Sequence, residues 1–199
     1  MLLKTAVPSK NVKMHNKASQ YRQQAGWTRF TRLCWQALNT MNVIQYTESY
    51  KDSLVQLMEL LQDYEKTLSD DRALGIEMAS NHFDYMLKEC RDSNGEIFVA
   101  IDDLTVLGFV SVYVEQEDDA DCHLLAEYKT YGVIADLAVF KEYRNQGVAA
   151  ALIERAEQHC KSLNLNRVKI SFLAKNHAAE SLYRKFGFEA HEITYEKRI

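Results

Sequence analysis

The segment from Val133 to Ala151 constrains this chain more than any other. It runs from an apolar stretch, Val133-Ile134-Ala135-Asp136-Leu137-Ala138-Val139, through a short polar connection into Val148-Ala149-Ala150-Ala151. The apolar stretch reads as a strand. Ala149, Leu152, Ile153, Ala156, Cys160 and Leu163 then share one face at a 3.6-residue period, which predicts a helix continuing to about Leu163. Gly147 stands where the chain enters that helix. A helix start leaves backbone N–H groups unpaired and carries the positive end of the helix dipole. An entry poor in side chains is therefore a docking point for a phosphate or pyrophosphate. One glycine at such a junction is also what an ordinary strand–helix turn requires.

Charge narrows the partners. Residues 1–47 contain no acid but seven bases, Lys4, Lys10, Lys13, Lys17, Arg22, Arg29 and Arg32, leaving 17 bases against 28 acids beyond them, a balance of −11. An acidic body argues against a nucleic-acid partner. No window is apolar for long enough to span a bilayer, so no integral membrane segment is expected. Cys34, Cys90, Cys122 and Cys160 are widely spaced and the six histidines lack ligand spacing, so no metal is expected. Reduced structural thiols fit a cytoplasmic compartment.

Residues 1–40 read as a basic N-terminal extension, and 41–199 as the functional domain. Within the extension, Trp27, Phe30, Cys34 and Leu38 share one side of a short amphipathic helix. That pattern resembles a transit peptide or membrane-surface anchor. A disordered extension, or translated sequence ahead of a start at Met41, is the preferred reading, because the domain pattern begins just after Met41.

Val43–Tyr46 predicts a first strand. Ser49, with Asp52 three residues on, predicts a helix cap, followed by an apolar face of Leu54, Leu57, Met58, Leu61 and Tyr64. Ile76, Ala79, Phe83, Met86 and Cys90 predict the inward face of a second helix. Residues 97–101 and 106–114 predict a hairpin turning at Asp102-Asp103. The acidic run 115–121 reads as a solvated loop. Val168, Ile170 and Phe172 predict a strand, 178–186 a helix ended by Gly187, and 188–191 and 193–197 closing strands.

Arg144-Asn145-Gln146-Gly147-Val148-Ala149, preceded by Leu137-Ala138-Val139, resembles the Arg/Gln-x-x-Gly-x-Gly/Ala pyrophosphate loop of the GNAT family of N-acetyltransferases. The stretch from Asn176 to Phe188 is similar to that family's second signature, Asn…Ala…Leu-Tyr-x-x-x-Gly-Phe. In detail the resemblance covers roughly 131–199; upstream it rests on the element order β-α-α-β-β-β-α-β-α-β. It implies an α/β (α+β) mixed sheet of the GNAT-like acyl-CoA N-acyltransferase fold. The fourth and fifth strands would splay apart and take the pantetheine arm of acetyl-CoA between them. Two departures stand out: Phe140-Lys141 replaces a frequent proline, and Ala149 the commoner glycine.

The resemblance implies a transfer of acetyl from acetyl-CoA to a primary amine by direct attack, and it assigns roles. Backbone N–H groups of Asn145, Gln146, Gly147, Val148, Ala149 and Ala150 would cradle the pyrophosphate, with Arg144 adding charge. Main-chain groups of Leu137, Ala138 and Val139 would bond the pantetheine, one N–H facing the thioester oxygen. Asn176 would bond the same arm, or simply cap a helix. Tyr183 would reprotonate the leaving thiolate; by periodicity alone it is a core aromatic. Asp136 is the one charge in its strand, which is costly unless paired or useful. Its place is similar to that of an aspartate near the acceptor amine in aminoglycoside 3-N-acetyltransferases, and a salt bridge to a neighbouring strand explains it equally well. Glu115 and Glu127 are fallback bases acting through water. The expected partner is a small-molecule or peptide amine, and a homodimer is compatible. A non-catalytic acyl-CoA sensor and a generic nucleotide-phosphate domain are the rival readings.

Overall fold

The computed structural model describes residues 41–118, 120 and 123–199. The amphipathic helix expected around Trp27–Leu38, and Cys34 and Cys122, lie outside the described residues.

A five-stranded sheet in the order β1-β2-β3-β4-β5 forms the centre. Its strands are β1 (Met41–Gln45), β2 (Glu96–Asp102), β3 (Thr105–Gln116), β4 (Thr130–Val139) and β5 (Val168–Ile170). The first four pair antiparallel, and β5 joins β4 in parallel. Helices α1 (Lys51–Leu68) and α2 (Gly75–Asp92) connect β1 to β2, α3 (Val148–Ser162) connects β4 to β5, and α4 (His177–Lys185) follows β5.

Both faces of the sheet are covered, which is why β2 and β3 read as almost unbroken apolar runs. Leu54, Leu57 and Met58 of α1 and Ala79, Phe83, Met86 and Cys90 of α2 pack on Ile97, Val99 and Phe109. On the other face Val148, Leu152, Ala156 and Cys160 of α3 pack on Phe98, Val110, Val112 and Ile134. Alternate residues of one strand thus serve opposite layers. The β2–β3 hairpin turns at Asp103, whose φ is +54°.

Three local expectations are corrected. Ser49 does not cap α1: it lies in a 3-10 turn, Glu48–Tyr50, where its hydroxyl meets that of Thr47 at 2.7 Å. Ile76, in the first turn of α2, faces solvent, because the inward stripe begins at Ala79. The closing strands at 188–191 and 193–197 do not form, and the element order holds only through α4. Ile193 and Tyr195 are 73% and 90% exposed, so pairing them would fix backbone without burying a face to offset the lost entropy. The end of the tail meets the α1–α2 connection, where Arg198 Nη1 donates to Asp70 at 3.0 Å.

Candidate active site

After β4 the chain makes a 3-10 turn, Lys141–Tyr143, and enters α3 through two left-handed residues, Asn145 (φ +61°) and Gly147 (φ +87°). Gly147 is the residue before the first turn, and a side chain in its conformation costs about 1–2 kcal/mol. The first main-chain bond of the helix runs from Ala151 N–H to Gly147 C=O, at 3.1 Å. Every N–H from Asn145 through Ala150 is therefore left without a hydrogen bond among the described residues. Two side chains of this turn are tied to the main chain that precedes it. Arg144 Nε donates to Val139 C=O at 3.0 Å, and Gln146 Nε2 to Glu142 C=O at 2.7 Å.

The strand leading to this loop has an open edge. The β4–β5 ladder joins Gly132, Val133 and Ile134 to Val168, Lys169 and Ile170 and stops there, while β4 continues to Val139. Phe140 N–H bonds Leu107 C=O on the β3 side. By alternation Val139 and Leu137 present their main-chain groups to the open side, and Ala138 presents its groups to β3. Of the three residues assigned to pantetheine, Leu137 and Val139 face that side, where Val139 C=O also accepts from Arg144 Nε.

Between Leu137 and Ile134 the register with β3 slips: Val110 pairs with Leu137, but Val112 pairs with Ile134. The extra residue makes a bulge at Ala135-Asp136 opposite Ser111, the device that re-aims a side chain within a ladder. Ser111 is fully buried and fixes the bulge twice. Its Oγ accepts Asp136 N–H at 3.0 Å and donates to Asp136 Oδ2 at 3.4 Å. The Asp136 carboxylate also meets His82 Nε2 of α2 at 3.5 Å.

Asp136 opens into a cavity of about 560 Å³ bounded by α1, α2, β4 and the chain after β5. Glu65, His82, Tyr85, Glu89 and Tyr113 share its wall. Glu115 and Glu127 do not line it, so the acids beside Asp136 are Glu65 and Glu89. Burial raises the Glu65 carboxyl above its usual range, and the nearby Arg72 opposes this. Arg72 Nε, at 3.9 Å from Glu65, is buried without a hydrogen bond. The Asp136 carboxylate facing its Nε2 raises the His82 pKa, and burial opposes it.

Tyr183 is 9% exposed and borders this wall through Phe172. Its ring packs against Phe172, a lining residue, at 5.5 Å and against Phe188 at 5.9 Å. Burial first, and then the charges of Glu65 and Asp136, push its phenol up to about 12. Asn176 is buried and caps α4, its Oδ1 accepting Ala179 N–H at 3.1 Å, which leaves Nδ2 without a described partner.

Sequence reading named Asp136 and Tyr183 and missed His82, Glu65, Arg72 and Ser111. A histidine three residues after Ala79 on the edge of an apolar stripe was the available signal for His82. Glu65 and Arg72 carried none, since each reads as a surface charge. Among the described residues no group of histidine, cysteine and acidic side chains is placed to hold a metal, and no helix is long and apolar enough to cross a membrane.

Fold and site together define a mixed-sheet α/β domain, with an anion-receptive helix start after the end of a splayed strand and an acid-lined cavity at the bulge within that strand. The family model for the acetyltransferase (GNAT) family matches residues 54–188, and the chain belongs to that family. An N-alpha-acetyltransferase of Saccharolobus solfataricus is 26% identical over 106 residues, 53% of this chain and 63% of that protein. A candidate ribosomal-protein alanine N-acetyltransferase of Bacillus subtilis is 34% identical over 56 residues, 28% of this chain and 37% of that one. The chain thus spans less than two thirds of either relative. The solved structure of an aminoglycoside acetyltransferase from an uncultured soil sample shares the fold, with a TM-score of 0.56 at 18% identity over 81% of this chain and 97% of that one.

Proposed function

We propose that the protein moves an acetyl group from acetyl-CoA to a primary amine by direct attack in a ternary complex. One observation carries this reading: unbonded N–H groups from Asn145 to Ala150 lie at the end of a strand whose open edge leads to an acid-lined cavity. When bound, acetyl-CoA supplies an activated acetyl thioester. The N–H run suits a pyrophosphate, since six donors and the helix dipole converge where Ala149 and Ala150 add little bulk. Arg144 adds charge, Leu137 and Val139 bond the pantetheine as an added strand would, and Asn176 offers Nδ2 to the same arm. A main-chain N–H of β4 faces the thioester oxygen.

At the acceptor end Asp136, with Glu65 and Glu89, draws in the ammonium. Tyr183 holds a proton for the departing sulfur. With its phenol at about 12, a lone phenolate beside a thiol of ordinary pKa ~8.5 lies about 5 kcal/mol uphill. Tyr183 therefore passes its proton on only as the nitrogen returns one. Direct transfer is favoured over a covalent acetyl-cysteine, because among the described residues neither cysteine, Cys90 or Cys160, lines the cavity and burial pushes the Cys90 thiol up to about 12.

On this reading 41–199 is the transferase domain and 1–40 an extension, in a cytoplasmic chain compatible with a homodimer. The acceptor is a small-molecule or peptide amine; the aminoglycoside and N-terminal acetyltransferases above offer both precedents. Calorimetry with coenzyme A, followed by thiol release with a panel of amines, tests the proposal. Binding and turnover are expected. Tight binding with no turnover on any amine would leave a sensor, and no binding would end the reading.

A further inference from the structure

Resting on that acetyl-transfer reading, we infer that His82 takes the proton from the attacking amine through its Nδ1, while Asp136 holds the ring from behind. His82 lines the cavity with its side chain 35% exposed, and its Nε2 is the nitrogen turned to Asp136. Nδ1 has no partner among the described residues. The Tyr85 ring lies alongside, with centroids 6.1 Å apart and planes at 28°. Asp136 is fixed in turn by the two contacts with Ser111. Ser111, Asp136 and His82 thus form a relay in which a held carboxylate orients an imidazole that faces the reacting group.

The chemistry favours the imidazole over the carboxylate. An ammonium on the lysine scale has pKa ~10.4, against ~3.9 for a carboxylate and ~6.5 for imidazole, so the uphill gap is much smaller for His82. The charged and titratable groups facing His82 are Asp136 of β4, Glu65 of α1, Arg72 of the α1–α2 connection, Tyr113 of β3, and Tyr85 and Glu89 of its own helix. The carboxylates among them favour the protonated ring.

In the step proposed, one ammonium N–H bond breaks, its electron pair stays on nitrogen, and the proton moves to Nδ1 and then to solvent. The nitrogen pair forms the C–N bond as the C–S bond breaks. The thiolate takes its proton from Tyr183, which recovers one from the nitrogen. One proton is released for each acetyl transferred.

Two measurements on the full chain decide the proposal. Histidine NMR titration, with the His82 signal assigned by its loss in His82→Asn, is expected to show a pKa above that of free histidine, falling in Asp136→Asn. A His82 signal that Asp136→Asn leaves unmoved overturns the inference, whatever the activity. Turnover is then followed against pH with a linear diamine, an aminoglycoside and an alanine-led peptide as acceptors. His82→Asn and His82→Gln are expected to bind coenzyme A as the parent does and to lose roughly 10²–10⁴-fold in kcat near neutral pH. Their log rate should climb with a slope of one per pH unit, because only amine already deprotonated in solution reacts. A variant keeping the parent's kcat and pH profile overturns the inference while leaving acetyl transfer standing. A parent that binds no coenzyme A overturns acetyl transfer, and this inference with it.

Discussion

Replacing Tyr183 with phenylalanine removes one oxygen and leaves the packing in place. The ring stays between Phe172 and Phe188, so neither α4 nor the coenzyme site should move. What disappears is the one group expected to meet the sulfur as it gains charge. A hydrogen bond to a charged partner contributes about 1.5–3 kcal/mol, which corresponds to roughly a ten- to hundred-fold loss in kcat. The parent phenol, at about 12, stays protonated throughout the working range, so Tyr183 should give no basic limb below about pH 10. The assay is thiol release under saturating acetyl-CoA, with calorimetric coenzyme A affinity measured beside it. Equal kcat in the two proteins would remove Tyr183 from the mechanism, and a fall in affinity equal to the fall in rate would mark a packing role only.

Gly147→Glu places a carboxylate and a strained φ at the mouth of the N–H run, and coenzyme A binding should be lost while the melting curve stays cooperative. Gly132→Ala should destabilise the fold by about 1–3 kcal/mol, because its new Cβ would sit too close to Cys160 Sγ; Cys160→Ala in the same chain should recover most of this in denaturant titration. Glu65 has a folded pKa raised above the ordinary 4.5, chiefly by burial, so the native state holds its proton more tightly than the unfolded chain. Its contribution to stability is full below about pH 4.5 and is lost as pH rises through the folded value. Glu65→Gln should flatten that part of the stability profile and match or exceed the parent at pH 7, as read by melting temperature against pH.

Much of the architecture was legible because it is written in local periodicity. The stripes Leu54–Met58, Ala79–Cys90 and Leu152–Cys160 announce three helices, and the apolar runs 97–101 and 106–114 announce a hairpin, whose cover on both faces only the structure supplies. Asp136 was legible as a lone charge in such a run, and Tyr183 only through the motif around it. The closing strands expected at 188–191 and 193–197 do not form, and Ile193 and Tyr195 stay exposed. Alternation fixes which side chains share a face and says nothing of whether a packing surface waits for them.

The sequence alone determined the junction: an apolar strand, a polar turn, a glycine and a helix start poor in side chains all lie within nineteen consecutive residues, 133–151. Tertiary structure decided what surrounds the reacting nitrogen. The bulge opposite Ser111 exists only in the pairing of β3 with β4, and the meeting of Asp136 with His82 and Glu65 brings together three elements far apart in the chain. Hydrogen-bond geometry along a helix start follows from neighbours in sequence, whereas the charge and proton affinity of a cavity wall follow from neighbours in space.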